Sequence, residues 1–303
     1  MPLRSLSLLA AVVLLGALVT GCARARRLTG DTPAELTVDG LTRTYRVFVP
    51  HGLGTGPAPL VLAFHGRHGT GRDMERLTGF SRLAEKDRFV VAYPDGIGRS
   101  WNNGSGAGAA DRRDIDDSGF VRALIDRLAG TLPVDRRRVY AVGFSNGAIF
   151  TQRLACDLGG QLAAVTAVAG PMAPSVARTC IPARPVPVLQ AQGTADSYVP
   201  PGGGHTAGGG VVQPVTTTVR GWVDRDSCRP DARTVTPATT VDCEVFGGCA
   251  GGASVELCWL TGSGHTWPGS AENPPQTLVG PADASFDMTR YAYTFFRAHA
   301  LPR

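Results

Sequence analysis

Gly143-Phe144-Ser145-Asn146-Gly147 follows the apolar run Val139-Tyr140-Ala141-Val142 and leads into a stretch that opens on Ala148. A serine placed between glycines where a strand turns sharply into a helix is held exposed, in the setting of a nucleophile that attacks a carbonyl carbon. A serine hydroxyl is a weak nucleophile on its own, so this chemistry demands a base to take its proton and a carboxylate to orient that base. Both are found downstream. Pro187-Val188-Leu189-Gln190-Ala191 reads as a buried strand, and Gly193-Thr194-Ala195-Asp196 sets a carboxylate in the loop after it. Val255-Glu256-Leu257-Cys258-Trp259-Leu260 alternates like a second strand and runs into Gly262-Ser263-Gly264-His265, a histidine in a loop too rich in glycine to be helical. Ser145 is therefore the candidate nucleophile, His265 the candidate general base and Asp196 the candidate acid.

Ser, then acid, then His, each in a loop that follows a strand, is the chain order of the α/β-hydrolase fold. That fold also needs an oxyanion hole, one N–H from the residue after the nucleophile and one from the loop after the third strand. Asn146 supplies the first backbone donor. Leu60-Val61-Leu62-Ala63-Phe64 is a continuous apolar run of the kind covered on both faces, and His65-Gly66-Arg67 follows it, so the backbone of Arg67 is the candidate second donor. His65 precedes the serine and is expected to shape a turn, with His265 as the base.

The elements around these residues alternate. Ala34 to Val38 and Thr42 to Val49 flank Asp39-Gly40, a hairpin signal. Strands at Leu60, Val90, Val139, Ala163 and Val186 then alternate with helices near Leu77, Phe120, Ala148 and Pro214, and a last helix spans roughly Phe286 to His299. The expected fold class is α/β, a mostly parallel central sheet with helices on both faces, as one catalytic domain over residues 34–303. Pro200 to Gly210 is nearly all glycine, proline and small residues and is expected to form a flexible rim beside Asp196.

Phe64-His65-Gly66, Gly143-Phe144-Ser145-Asn146-Gly147-Ala148, Gly193-Thr194-Ala195-Asp196-Ser197-Tyr198-Val199-Pro200 and Gly264-His265-Thr266-Trp267-Pro268-Gly269 together resemble the polyhydroxybutyrate depolymerase and feruloyl esterase family. The resemblance runs from about Leu36 to Phe296. It implies hydrolysis of carboxylic esters through an acyl-enzyme, without cofactor or metal, on hydroxyalkanoate oligomers or hydroxycinnamate esters. Arg67 stands where the polyester-degrading members usually carry cysteine. Asp114-Ile115-Asp116-Asp117 looks like the family's acidic segment, and Asp116 or Asp117 is expected to cap the following helix rather than bind a metal. Trp267, next to the candidate base, and Trp101, in the Ser100-Trp101-Asn102 loop, are expected to offer flat apolar surface to an acyl group or aromatic ring. Two other outcomes share the scaffold: an acyltransferase resembling mycolyltransferases, and a non-catalytic binding lipoprotein, which should have lost a member of the triad.

Arg4 precedes an apolar stretch from Leu6 to Val19, too short to span a bilayer but suited to an export signal over residues 1–21. Val19-Thr20-Gly21-Cys22 resembles a bacterial lipobox, which predicts lipidation of Cys22, a tether to the outer face of a membrane and a linker over residues 22–33. The other cysteines are Cys156, Cys180, Cys228, Cys243, Cys249 and Cys258, an even number suited to disulfides in an exported chain. Many pairings are open to them. Proximity in the presumed fold favours Cys156 with Cys180, Cys228 with Cys249, and Cys243 with Cys258, the last across a strand pair. The net charge is +5, but the arginines are scattered and partly paired, as in Asp111-Arg112-Arg113-Asp114, so no nucleic-acid partner is expected. Arg136-Arg137-Arg138 is expected on a solvated turn.

Overall fold

The structure is a computed structural model that describes residues 29–303. The expected export signal, Cys22 and the start of the linker lie outside the described residues. In chain order the elements are β1 (Gly30–Val38), β2 (Leu41–Val49), β3 (Ala58–Phe64), α1 (Gly71–Thr78), α2 (Phe80–Asp87), β4 (Val90–Pro94), α3 (Ala109–Arg112) and α4 (Asp117–Thr131). There follow β5 (Val134–Phe144), α5 (Asn146–Asp157), β6 (Ala164–Val168), α6 (Pro174–Thr179), β7 (Val188–Gly193), β8 (Gly204–His205) and β9 (Val211–Val212). The chain ends with α7 (Val215–Arg225), β10 (Ala232–Ala238), β11 (Val241–Phe246), β12 (Val255–Leu260), α8 (Gln276–Val279) and α9 (Met288–Arg297).

The main sheet runs β1-β2-β4-β3-β5-β6-β7-β12-β11-β10. Its centre, β4-β3-β5-β6-β7-β12, is parallel, and each edge is an antiparallel extension, β1-β2 on one side and β11-β10 on the other. The period-2 geometry of a strand explains how the centre can be apolar throughout. In β3, Leu60, Leu62 and Phe64 join the core beneath α4, α5 and α7, while Val61 and Ala63 join the core beneath α1, α2 and α9. This is the α/β-hydrolase fold.

Several local signals act as expected. Asp39 (φ 49°) and Gly40 (φ 77°) make the tight turn between β1 and β2. β1 begins at Gly30, so residues 30–33, expected in the linker, belong to the sheet and pair with the end of β2. Asp116 Oδ1 accepts from the Gly119 N–H at 2.7 Å and caps α4. Its neighbour Asp117 does something else. It is buried, with Oδ1 2.6 Å from Arg43 Nη2 and Oδ2 accepting from the Asn102 N–H at 2.7 Å. Burial pushes the Asp117 carboxyl up and Arg43 opposes that rise. Arg136 to Arg138 lie in the outer half of β5 rather than on a turn, where Arg136 reaches Asp126 and Arg138 reaches Asp135.

The three disulfides are Cys156–Cys180, Cys228–Cys249 and Cys243–Cys258. Cys243 and Cys258 face each other in register on β11 and β12, and Cys156–Cys180 ties the end of α5 to the end of α6. The glycine-rich segment from Pro200 to Gly210 is not a free rim. β8 and β9 pair as a small ribbon, Ala207 N–H donates to Tyr198 O, and Val211 N–H donates to Ser105 O. Backbone hydrogen bonds supply the order that its side chains cannot.

Candidate active site

The turn at Ser145 is set by backbone crowding. Ser145 sits at φ 56°, ψ −121°, between the last residue of β5 and the first of α5. A β-carbon on Gly143 would lie 2.1 Å from Gly147 O, and one on Gly147 would lie 2.2 Å from Phe64 O. Neither position admits any other residue without moving backbone, which is why both flanks are glycine. Ser145 N–H is tied to Val168 O at 2.9 Å, so the turn is clamped from β6 as well.

Asp196 occupies the turn after β7 and His265 the loop after β12. Those two strands are parallel neighbours, so their carboxyl-terminal loops meet over one end of the sheet. Gly193 permits the contact, since a β-carbon there would lie 2.3 Å from Ser263 O. The His265 loop is itself held by two backbone bonds, His265 N–H to Val279 O at 2.6 Å and Gly264 N–H to Pro281 O at 2.8 Å. Asp196 Oδ1 accepts from the N–H groups of Tyr198 and Val199, each at 2.9 Å. Its Oδ2 accepts from His265 Nδ1 at 2.8 Å, which leaves His265 Nε2 facing Ser145 Oγ at 2.7 Å. The carboxylate is almost wholly enclosed and the imidazole is 6% exposed. Phe144 and Tyr198 flank the ring, with centroids 5.0 and 5.4 Å away. The three residues singled out from sequence are thus brought into one hydrogen-bonded line.

His65 is bound elsewhere. Its Nε2 accepts from the Gly96 N–H at 3.0 Å, which makes Nδ1 the protonated nitrogen, 2.7 Å from Gly66 O. Burial lowers its pKa, so it stays neutral and shapes the turn before Arg67. That turn lies against the serine: a β-carbon on Gly66 would be 3.3 Å from Ser145 Cβ. The backbone N–H groups of Arg67 and Asn146 donate to no protein acceptor among the described residues. The Arg67 guanidinium reaches away and donates to Gly208 O in the β8–β9 ribbon.

The two tryptophans do not serve as expected. Trp101 is fully buried, stacked on Phe150 at 5.1 Å, with its indole N–H donating to His65 O at 2.9 Å. Trp267 is 1% exposed, and its indole N–H donates to Thr289 Oγ1 at 3.0 Å. Each has found an apolar bed and a hydrogen-bond acceptor in the interior, so neither has a face to offer a substrate. Tyr198, 38% exposed over the imidazole, is the aromatic ring at the surface here.

Support residues that sequence reasoning passed over come from the loop before α3. Trp101 N–H donates to Asn146 Oδ1 at 2.9 Å and Asn103 Nδ2 donates to Asn146 O at 3.0 Å, fixing the start of α5. Arg43 and Asp117 hold that loop from below through Asn102. Nothing local in the sequence marks this pairing across distant segments.

A parallel sheet whose carboxyl-terminal loops carry a serine on a strained turn, a buried acid and a histidine between them is the arrangement of the α/β-hydrolase fold. Comparison with known proteins narrows it. No family model matches the chain. It is 32% identical over 285 residues to a protein of Nocardia uniformis subsp. tsuyamanensis assigned as esterase NocK, spanning 87% of this chain and 82% of that one. It is 33% identical over 229 residues to feruloyl esterase B of Piromyces equi, and 28% identical over 260 residues to the bifunctional acetylxylan esterase/xylanase XynS20E of Neocallimastix patriciarum. The chain spans 40% and 35% of the length of those two proteins. Among solved structures, acetyl xylan esterase from Aspergillus awamori superposes with a TM-score of 0.58 at 18% identity, covering 78% of this chain and 94% of that one, a likeness of fold. The chain belongs to the esterase family that includes NocK, and it is a carboxylic ester hydrolase.

Proposed function

We propose that the protein is an exported serine esterase that cleaves carboxylic esters, of the feruloyl or acetyl type borne by plant polysaccharide, through an acyl-enzyme on Ser145. The hydrogen-bonded line from Ser145 Oγ through His265 to Asp196 carries this reading. Ser145 Oγ attacks the ester carbonyl carbon as its proton passes to His265 Nε2, and Asp196 stabilises the imidazolium through Nδ1–H. The carbonyl oxygen, now an oxyanion, takes hydrogen bonds from the N–H groups of Asn146 and Arg67. As the tetrahedral intermediate collapses, the C–O bond to the alcohol breaks and the alcohol leaves with the proton from Nε2. Water then gives a proton to Nε2, its oxygen attacks the acyl-enzyme, and the second collapse frees the acid and restores the serine hydroxyl.

The names of the sequence relatives favour polysaccharide esters over hydroxyalkanoate oligomers, the other class that the motifs bring with them. Initial rates on methyl ferulate, acetylated xylan and a 3-hydroxybutyrate oligomer, with Ser145→Ala as blank, test the reading. Turnover of ferulate or acetylxylan that the blank lacks is expected. Equal rates in the Ser145→Ala enzyme would overturn the nucleophile, and turnover of the hydroxybutyrate oligomer alone would overturn the substrate class.

Export rests on the Arg4 and Leu6–Val19 pattern, with three disulfides that suit an oxidising compartment. Cys22 would then carry the lipid. Cys22→Ser is expected to release the esterase from the membrane fraction, and an unchanged distribution would refute the anchor.

A further inference from the structure

Asp196 Oδ2 receives a second donor besides His265. Gln192 Nε2 lies 2.9 Å from it and 3.1 Å from Val199 O. Behind Gln192 runs an unbroken line of buried amides. Gln190 Nε2 is 3.5 Å from Gln192 Oε1, Gln152 Nε2 is 2.8 Å from Gln190 Oε1, and Trp222 Nε1 is 2.6 Å from Gln152 Oε1. All four side chains are fully buried, and they come from three elements, α7, α5 and β7. Three buried glutamines are costly unless each amide is satisfied, and here each one bonds through both its oxygen and its nitrogen.

The direction of this line is dictated by its ends. An indole nitrogen can only donate, and an ionised carboxylate can only accept. Trp222 therefore holds the Gln152 carbonyl toward itself and turns its NH₂ toward Gln190. Gln190 must present its carbonyl to Gln152 and its NH₂ to Gln192, and Gln192 in turn presents its NH₂ to Asp196. Reversing any one amide would set two carbonyls, or two NH₂ groups, against each other. With only Asp196 as a fixed end, Gln190 and Gln152 would have no such constraint from behind.

We propose that Gln192 is a positioning residue for Asp196, and that the amide line back to Trp222 fixes which way Gln192 points. This rests on the reading of Ser145, His265 and Asp196 as the triad. The donor from Gln192 pins Oδ2 beneath the imidazole and draws off part of its charge, so the line acts on the base through the acid. The link between Gln190 and Gln192 is the longest, so a change at Gln152 should reach the site attenuated.

Gln192→Met keeps the length and removes the donor, and Gln152→Met cuts the line far from the site. Steady-state kinetics on the best substrate, pH profiles of kcat/KM and melting temperatures are measured for both, with Ser145→Ala alongside. A hydrogen bond to a charged group is worth enough that Gln192→Met should lower kcat roughly 10- to 100-fold with KM little changed. The acid limb of its profile should move to higher pH, because Oδ2 then concentrates more charge on His265. Gln152→Met should lower kcat about threefold to tenfold and move the limb in the same direction.

A protein that melts earlier but keeps its kcat and its acid limb in both variants would overturn the proposal, since a merely structural role moves only stability. A shift in Gln192→Met with none in Gln152→Met would overturn the line while leaving Gln192 in place. Should Gln192→Met not fold, Gln152→Met decides by the same two readouts. An active Ser145→Ala enzyme would instead sink the triad on which the proposal stands.

Discussion

Replacing Asp226 by Asn should remove a penalty that builds up in the folded protein as the pH rises from about 4 to about 7. Asp226 caps the C-terminal end of α7, fully buried, where desolvation and the negative pole of the helix both oppose a carboxylate. Its Oδ1 accepts from the Val186 N–H at 3.0 Å, but its Oδ2 has no hydrogen-bond partner among the described residues. Burial pushes the carboxyl up to about 7, with Val186, Arg184 and Arg225 only partly offsetting it. An unfolded chain releases this proton near pH 4. Below that pH both states hold the proton and the group contributes nothing. Between roughly pH 4 and 7 the unfolded chain has lost it and the folded protein keeps it, so stability falls by about 1.4 kcal/mol for each pH unit, about 4 kcal/mol across the window. Above about 7 the loss is complete and flat. Asparagine has the same shape, can still accept from Val186 and does not titrate. Urea unfolding of both proteins, disulfides intact, at pH 4, 5.5, 7 and 8.5 isolates the effect, because every other group cancels in the difference. The variant should gain on the parent by about 4 kcal/mol between pH 4 and 8.5, whatever fixed offset the amide brings. Curves that stay parallel across that range would refute the reasoning, as would a variant that loses ground as pH rises.

Asp196→Asn should leave the fold intact and cut kcat by about 10⁴-fold, because an amide can hold His265 in the wrong tautomer; a loss under tenfold in steady-state assays would remove Asp196 from the triad. Gly147→Ala places a β-carbon 2.2 Å from Phe64 O, so esterase activity should drop at least a hundredfold or the protein should fail to fold, and a normal specific activity would refute the crowding at the turn. Asp117→Ala strands the buried Arg43 charge and should cost roughly 3–5 kcal/mol in urea unfolding, well above an exposed ion pair. A chain beginning at Ala23 should show no free thiol when unfolded without reductant, and two or more titratable thiols would contradict the three disulfides.

What could be read from the sequence was what the backbone does locally. Gly143 and Gly147 betray the turn around Ser145 because a β-carbon at either would strike main chain, and that collision leaves its mark within five residues. The continuous apolar runs of β3 and of the inner half of β5, and the strands before Asp196 and His265, mark where the sheet ends, so chain order alone assigned the candidate triad. The glutamines at 190 and 192, polar residues within a buried strand, were a visible signal that went unused.

Tertiary contact decided the rest. An indole reads the same from sequence whether it lines a cleft or fills a core, and only the positions of Phe150, His65 and Thr289 show that Trp101 and Trp267 are interior. The ribbon over residues 204–212 is ordered by backbone groups of Tyr198 and Ser105, which no composition of glycine and proline encodes. Arg43 with Asp117, and Trp222 with Gln152, Gln190, Gln192 and Asp196, join segments far apart in the chain. Sequence determines these links only through the fold, because the energy of a buried polar contact depends on which partner arrives and on how much water is left behind.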